Sequence, residues 1–359
     1  KEKTYQTDWY KTKDGEIKVR LDKRGDILRN NIYGVDIDKE ATEVTIMSLY
    51  LKMLDDGFDK GERDLFFIKG SVLPDMIENI KCGNSLISTD YFDEKLEYTI
   101  EEMKEIKPFN WINEFNEIFQ NGGFDFVIGN PPYTLMISNN QQDYFNKHYE
   151  YQDYQKDLYL LFLEKYHHLL KENAYFGVII SNTWLQSVTY IKIRQYLSNK
   201  YRWIKILHLP EKVFNATVDT HVLIFEKADN NKNHILQVEE YNKTEIKFLH
   251  NLDMDILPKN GDPINVIFNE NKQELFRKIT EKAILLKEIT TVFNGVKPFE
   301  KGKGTPPQTE KTMKEKPFVK DGNKPGDKWM PLIRGSLINR YLNLWNENYW
   351  ILYGKWLAA

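Results

Sequence analysis

The run Gly129-Asn130-Pro131-Pro132-Tyr133 combines residue types able to hold a planar group bearing an NH₂. Two consecutive prolines remove two backbone N–H donors and fix φ at both positions, while their carbonyls stay free to accept. Asn130 adds a side-chain oxygen, and Tyr133 adds an aromatic face. Such a turn can grip amino hydrogens with acceptors while a ring stacks beside them. The tetrapeptide alone reads equally well as a stiff loop, since Pro-Pro and Asn-Pro turns are common. Two more polar residues fall where strands should end. The Asp36 carboxylate suits a ribose diol, or is a neighbour of a helix cap. Asn84 suits a nucleobase edge, or is an ordinary turn asparagine.

The elements that must position these residues are legible from periodicity. Phe124-Asp125-Phe126-Val127-Ile128, bounded by Gly122-Gly123, reads as a buried parallel strand. The turn then sits at a strand's carboxyl end, where open α/β sheets place their ligands. Asn31-Ile32-Tyr33-Gly34-Val35-Asp36-Ile37 reads as another strand. Asp38 follows as the cap of a helix carrying Ala41, Val44, Ile46, Met47, Leu49, Tyr50 and Met53. Ile80-Lys81-Cys82-Gly83-Asn84-Ser85-Leu86-Ile87 reads as a strand and turn, and residues 89–121 are acidic, aromatic and helical in character. Residues 157–170 show helical spacing through Leu158, Leu161, Phe162, Tyr166 and Leu169. A strand at 175–181, a helix at 187–200 and strands at 203–209 and 220–226 follow, the last two able to form a hairpin. Residues 1–30 are charged and weakly patterned. Alternating strands and helices over 30–226 predict an α/β fold with a mostly parallel, doubly wound sheet.

Composition narrows the classes. Among 359 residues, 41% are hydrophobic, enough for a substantial core, and 50 Lys+Arg against 53 Asp+Glu give a net charge of −3. No global basic signature exists, but nucleic-acid affinity depends on local charge facing phosphates. Cys82 is the only cysteine. It excludes an internal disulfide and a multi-cysteine zinc site, fits a reducing cytoplasm, and reads as a small buried residue. No apolar run approaches the roughly 18–20 residues of a membrane span. His167-His168 reads as a helix-surface pair rather than a metal site.

Several runs in order carry a family resemblance: Tyr33-Gly34-Val35-Asp36-Ile37-Asp38, Cys82-Gly83-Asn84-Ser85-Leu86, the Gly129–Tyr133 run and Asp157-Leu158-Tyr159 with Phe162-Leu163-Glu164. Gly177-Val178-Ile179-Ile180-Ser181 and Val213-Phe214-Asn215-Ala216-Thr217-Val218 continue it. The series resembles the gamma-class adenine-specific (N6) DNA methyltransferases of restriction–modification systems. Within them it is most similar to large type II enzymes that fuse endonuclease and methyltransferase. Leu332-Ile333-Arg334-Gly335, Asn339-Arg340-Tyr341 and Trp350-Ile351-Leu352-Tyr353-Gly354 are similar to the start of a DNA target-recognition domain.

The resemblance implies a Rossmann-like, S-adenosylmethionine-dependent sheet acting on double-stranded DNA, with the target adenine flipped out of the helix. It implies that Asn130, Pro131, Pro132 and Tyr133 are catalytic, with Tyr133 and Phe214 on the two faces of the base. Phe214 alone reads equally as core packing. Asp36 with Ile37 matches the ribose-binding position, and Asn84 with Ser85 the position meeting the cofactor adenine, where the family more often has Asp. No metal is implied. Lys297, Arg334 and Arg340 are the expected DNA contacts. The expected domains are 1–235, catalytic and N-terminally truncated; 236–285, connecting; and 286–359, the first part of target recognition.

One family feature is absent from residues 1–31: the glycine-rich loop that cradles the cofactor's methionine end. The chain is therefore expected to hold part of the cofactor pocket, with a nuclease elsewhere in the native polypeptide. Two other functions stay open. Related enzymes use the same turn on protein glutamine amides, although they usually end soon after the sheet. A non-catalytic DNA-specificity module is the other.

Overall fold

The computed structural model describes residues 8–12, 14–55, 57, 73–93, 98–133, 138–151, 157–209, 219–228, 234–284, 286–291, 295–340 and 342–358. The chain divides into two compact units, Lys1–Leu275 and Phe276–Ala359.

The first unit opens with structure that its weak patterning did not announce. Strands β1 (Trp9–Lys11) and β2 (Ile17–Val19) pair as an antiparallel hairpin, followed by a helix, Leu21–Asn31. That helix is anchored by one apolar and one charged residue, Leu21 and Arg24, both buried. The Arg24 guanidinium donates to the carbonyls of Met53 and Gly57, at and just beyond the end of the helix Lys39–Asp55. It thus satisfies the Met53 carbonyl in the last turn of that helix and ties down Gly57 just after it. At the other end of Lys39–Asp55, the Asp38 side chain accepts the Glu40 N–H at 2.8 Å, the expected cap.

Strands β3 (Gly34–Asp36) and β4 (Ile80–Cys82) form a parallel pair of three residues each, with Asp36 opposite Cys82. The buried Asn79 ties this pair to the preceding helix, donating to the Arg29 and Ile32 carbonyls at 2.7 and 2.9 Å. Cys82 is exposed, not buried, because a three-residue strand leaves one of its faces uncovered; its Sγ lies 3.5 Å from the Ile37 carbonyl.

The main sheet has six strands: β5 (Phe124–Gly129), β6 (Leu170–Ser181), β7 (Tyr201–Leu209), β8 (Thr220–Lys227), β9 (Ile235–Tyr241) and β10 (Ile246–Asp253). Their spatial order is β10-β9-β7-β8-β6-β5. Only β5–β6 and β7–β9 are parallel; β8 inserts antiparallel to both β6 and β7, and β9–β10 is a hairpin. The expected mostly parallel sheet is therefore a mixed one. Ten residues separate β7 from β8, fewer than the dozen or more that a parallel crossover requires. Residues 236–285, read as a connection, give β9 and β10 to this sheet.

The core lies between this sheet and the helices Leu158–Leu169 and Ile191–Lys200. Phe176, Trp184, Tyr201, Trp203 and Phe225 are fully buried, with Trp203 and Phe225 stacked at 5.0 Å. Each such side chain contributes about 1.5–3 kcal/mol by leaving water. Strand β5 departs from its expected burial: it is an edge strand, and Phe126 and Ile128, on one face, are 70% and 90% exposed.

The second unit holds a three-stranded antiparallel sheet, β11 (Val319–Asp321), β12 (Trp329–Pro331) and β15 (Tyr349–Leu352), with β15 central. A short hairpin, β13 (Ile338–Asn339) with β14 (Leu342–Asn343), lies between β12 and β15 in sequence. No helix among the described residues is long and apolar enough to cross a membrane.

Candidate active site

A cavity of about 540 Å³ opens between the carboxyl ends of β3 and β4 and the length of β5. Asp36, Ile37, Asn84, Ser85, Asn130, Pro131 and Pro132 all line it. Seven residues read from separate stretches of sequence thus meet at one concave surface.

Each wall has a local cause. Asp36 closes β3, and its Oδ1 accepts the Asp38 N–H at 2.8 Å. That bond fixes the carboxylate and leaves Oδ2 available. Gly83 lets the chain pass the Phe109 ring, which a Cβ would meet at 2.6 Å. Asn84 next donates its backbone N–H to Lys107 at 2.7 Å, while its Oδ1 accepts the Leu86 N–H at 3.0 Å. Asn84 lines the cavity, and its amide NH₂ adds a donor there. Ser85 is held through its carbonyl, which accepts the Trp111 indole N–H at 3.2 Å. Lys107 crosses back to the Ile37 carbonyl at 2.8 Å, joining the β3 and β4 loops.

On the opposite wall the turn is rooted in the core. Gly129 ends β5 directly against Tyr166, where a Cβ would lie 2.0 Å from the hydroxyl oxygen. Asn130 is exposed and Pro131 buried. Tyr133 is not part of the cavity lining. It is half-buried, meets Tyr159 edge-on with ring centroids 6.0 Å apart, and its hydroxyl donates to the Ile179 carbonyl at 3.2 Å. Burial raises its pKa, so it stays a neutral donor that pins the turn to β6. Phe214 lies outside the described residues.

Among the lining residues that the sequence reading did not assign to the site are Lys165 and Tyr166. Both sit on the helix Leu158–Leu169. Leu158, Phe162, Lys165 and Leu169 follow helical spacing and all line the cavity. The signal was a lysine on an apolar stripe. Burial lowers the Lys165 pKa, opposed by the Asp90 carboxylate.

The expected DNA contacts lie in the second unit with other partners. Lys297 pairs with Glu300 at 2.9 Å. Arg334 pairs with Asp321 at 3.0 Å and sits 3.2 Å above the Tyr349 ring. Arg340 is exposed. His167 accepts or donates to the Tyr201 hydroxyl at 2.9 Å, and burial lowers its pKa to about 4. Among the described residues no group of three or more His, Cys, Asp or Glu side chains could hold a metal ion.

Comparison with known proteins bears on the first unit. The chain is 30% identical over 277 residues to the type II restriction enzyme and methyltransferase RM.Eco57I of Escherichia coli, covering 71% of this chain and 26% of that protein. It is 27% identical over 208 residues to the putative type II restriction enzyme and methyltransferase RM.MjaORFECS2P of Methanocaldococcus jannaschii, covering 58% and 17% respectively. It thus spans about a quarter or less of the length of these curated relatives. Among solved structures, the M protein of the type I restriction enzyme EcoKI aligns at 18% identity and a TM-score of 0.35, covering 58% of this chain and 35% of that one. That match is too loose to bear on fold or function. The family model for Eco57I restriction-modification methylases matches residues 30–214, the stretch that supplies both walls of the cavity, and the chain belongs to that family.

Proposed function

We propose that this chain carries the catalytic site of a DNA methyltransferase that modifies the exocyclic amino group of an adenine flipped out of duplex DNA. The carrying observation is the convergence of the Asn130-Pro131-Pro132 acceptors with Asp36 and Asn84 on one cavity. The residues present fit S-adenosylmethionine. Asp36 retains a carboxylate oxygen for a ribose diol, Asn84 retains an amide donor for an adenine edge, and Lys165 supplies a cation. When bound, that cofactor supplies a methyl group on a sulfonium.

The Asn130 Oδ1 and the Pro131 carbonyl accept the two amino hydrogens of the target base. Holding both hydrogens in fixed acceptors raises the availability of the nitrogen lone pair and aims it at the methyl-donor side of the cavity. The prolines have no N–H, so neither competes for that lone pair. Tyr133, tied to β6, fixes the turn; stacking of the base by Tyr133 and Phe214 is part of the same proposal. The sheet continues to β10, so the catalytic domain extends past residue 235. Residues 286–359 begin target recognition, with Lys297, Arg334 and Arg340 contacting DNA.

The test is Asn130→Ala in the native polypeptide that contains these residues. Transfer of a radiolabelled methyl group to duplex DNA should fall about 10²–10³-fold or more, with sequence-specific DNA binding retained. Undiminished transfer would sink the mechanism. Chromatography of the digested product should show N6-methyladenine, and a methylated cytosine instead would overturn the choice of base.

A further inference from the structure

Strands β3 and β5 face each other across the cavity along their length: all three residues of β3 and five of the six of β5 line it. They run the same way. The Tyr33 and Phe124 rings meet at the amino ends with centroids 5.8 Å apart, while Asp36 and Asn130 stand at the carboxyl ends. Among the described residues both strands present an open edge: β5 is the last strand of the six-stranded sheet, and β3 pairs with β4 alone. Backbone groups in a strand point to alternate sides. Strand β3 turns those of Gly34 and Asp36 toward β4, the Gly34 N–H donating to the Asn79 carbonyl at 2.9 Å and the Asp36 carbonyl accepting from Gly83 at 2.8 Å. The N–H and carbonyl of Val35 therefore point away from β4, toward the cavity that Val35 lines. Large apolar side chains are bare on the same elements. Phe126 and Ile128 are exposed on one face of β5, and Val44, Met47 and Leu51 form an exposed stripe on the helix Lys39–Asp55 that follows β3. Open strand edges beside bare apolar side chains are what folded proteins otherwise cover.

We infer that an extended apolar segment lies between β3 and β5, hydrogen-bonded to both, and joins the two-stranded and six-stranded sheets into one. A strand of about five residues, the usual length, matches the edges on offer. The segment comes from the same polypeptide outside these 359 residues. The matched stretch is only 26% and 17% of the two curated relatives, so most of each of those polypeptides lies beyond it. Supply from the same polypeptide also gives the segment a high effective concentration. Its backbone meets Val35 on one side and the β5 edge on the other, and its side chains cover Phe126 and Ile128. Asp36, Asn84 and Asn130 stay open at the carboxyl ends, so the segment completes the floor of the site without filling it. The inference goes beyond the methyl-transfer reading and does not depend on it.

The experiment is hydrogen exchange, read by mass spectrometry, on the 359-residue chain and on the native polypeptide that contains it, both without ligand. Amides of β3 and β5 should exchange about tenfold or more slower in the native polypeptide, with those of β7 and β8 unchanged. Ile128→Lys should strip that protection from the native polypeptide and leave the 359-residue chain as it is, because position 128 is exposed there. Equal exchange in the two proteins would overturn the inference. Protection already present in the 359-residue chain would overturn it too, marking a second copy if dilution removes it and a segment within residues 1–359 if it does not. Protection that appears only with S-adenosylhomocysteine would make the slot part of the ligand cavity, which also overturns it.

Discussion

Asn130 leaves a strand joined through β6 to four further strands, whereas Asp36 leaves a strand with three paired residues and a single partner. The first wall is backed by stacked aromatics and by the Tyr133 and Tyr166 contacts. The second is held by individual polar tethers: Arg24 on the helix-end carbonyls, Asn79 on two backbone carbonyls and Lys107 on Ile37. Two-stranded sheets are marginal in water without such support. The difference separates a wall embedded in the six-stranded sheet from one held by individual polar tethers.

Three measurements would break or sharpen that contrast. The largest effect is expected from Trp203→Ala, which empties a site stacked on Phe225 and removes the indole bond to the Leu197 carbonyl at 3.0 Å. Chemical denaturation should show a loss of about 3–5 kcal/mol, with binding of S-adenosylhomocysteine and of duplex DNA weakened together. A small loss would mean that the aromatic core does not carry the target wall.

Acid should also strike that wall. His221, on β8, is buried, bonded through Nε2 to His208 at 3.0 Å, and its Nδ1 has no partner among the described residues. Burial, followed by the neighbouring His208, lowers its pKa from 6.5 to about 3. Its folded pKa lies below its unfolded value, so the unfolded chain binds the proton first. Its contribution is therefore intact above about pH 6.5 and is lost as pH falls toward 3, at up to about 1.4 kcal/mol per pH unit. At pH 5 that is about 2 kcal/mol. His221→Gln should flatten the dependence, and an unchanged slope would assign acid lability elsewhere.

The smallest effect is expected from Asn79→Ala, about 1–2 kcal/mol from two lost bonds of one amide. Hydrogen exchange should quicken in β3 and β4 and S-adenosylhomocysteine affinity should fall, while the global midpoint hardly moves. Global unfolding instead would show the two walls to be one cooperative unit.

Much of this was legible from residue order. The Asp38 cap, the helix Leu158–Leu169 and the β7–β8 hairpin follow from local periodicity and chain length. The turn itself was recognisable because its two prolines and asparagine have few alternative conformations. Other features depend on contacts distant in sequence. The helix Leu21–Asn31 has few apolar residues and a glycine at its centre, and it is held largely by where Leu21 and Arg24 point. The exposure of Cys82, Phe126 and Ile128 depends on which faces other elements cover, which periodicity within each strand does not encode. Lys165 was not singled out, because the stripe was read from its apolar residues alone.

The contact between Gly129 and Tyr166 also constrains how the site can change over generations. Alanine at 129 would put its Cβ 2.0 Å from the Tyr166 hydroxyl, and deleting that hydroxyl alone still leaves the ring carbon Cζ at 2.9 Å. Of the two orders in which a lineage could alter this pair, the one that enlarges 129 first passes through a chain whose Asn130–Tyr133 turn cannot close. The other must first install a smaller side chain at 166. Position 166, which carries none of the proposed chemistry, therefore sets which letters the motif can accept.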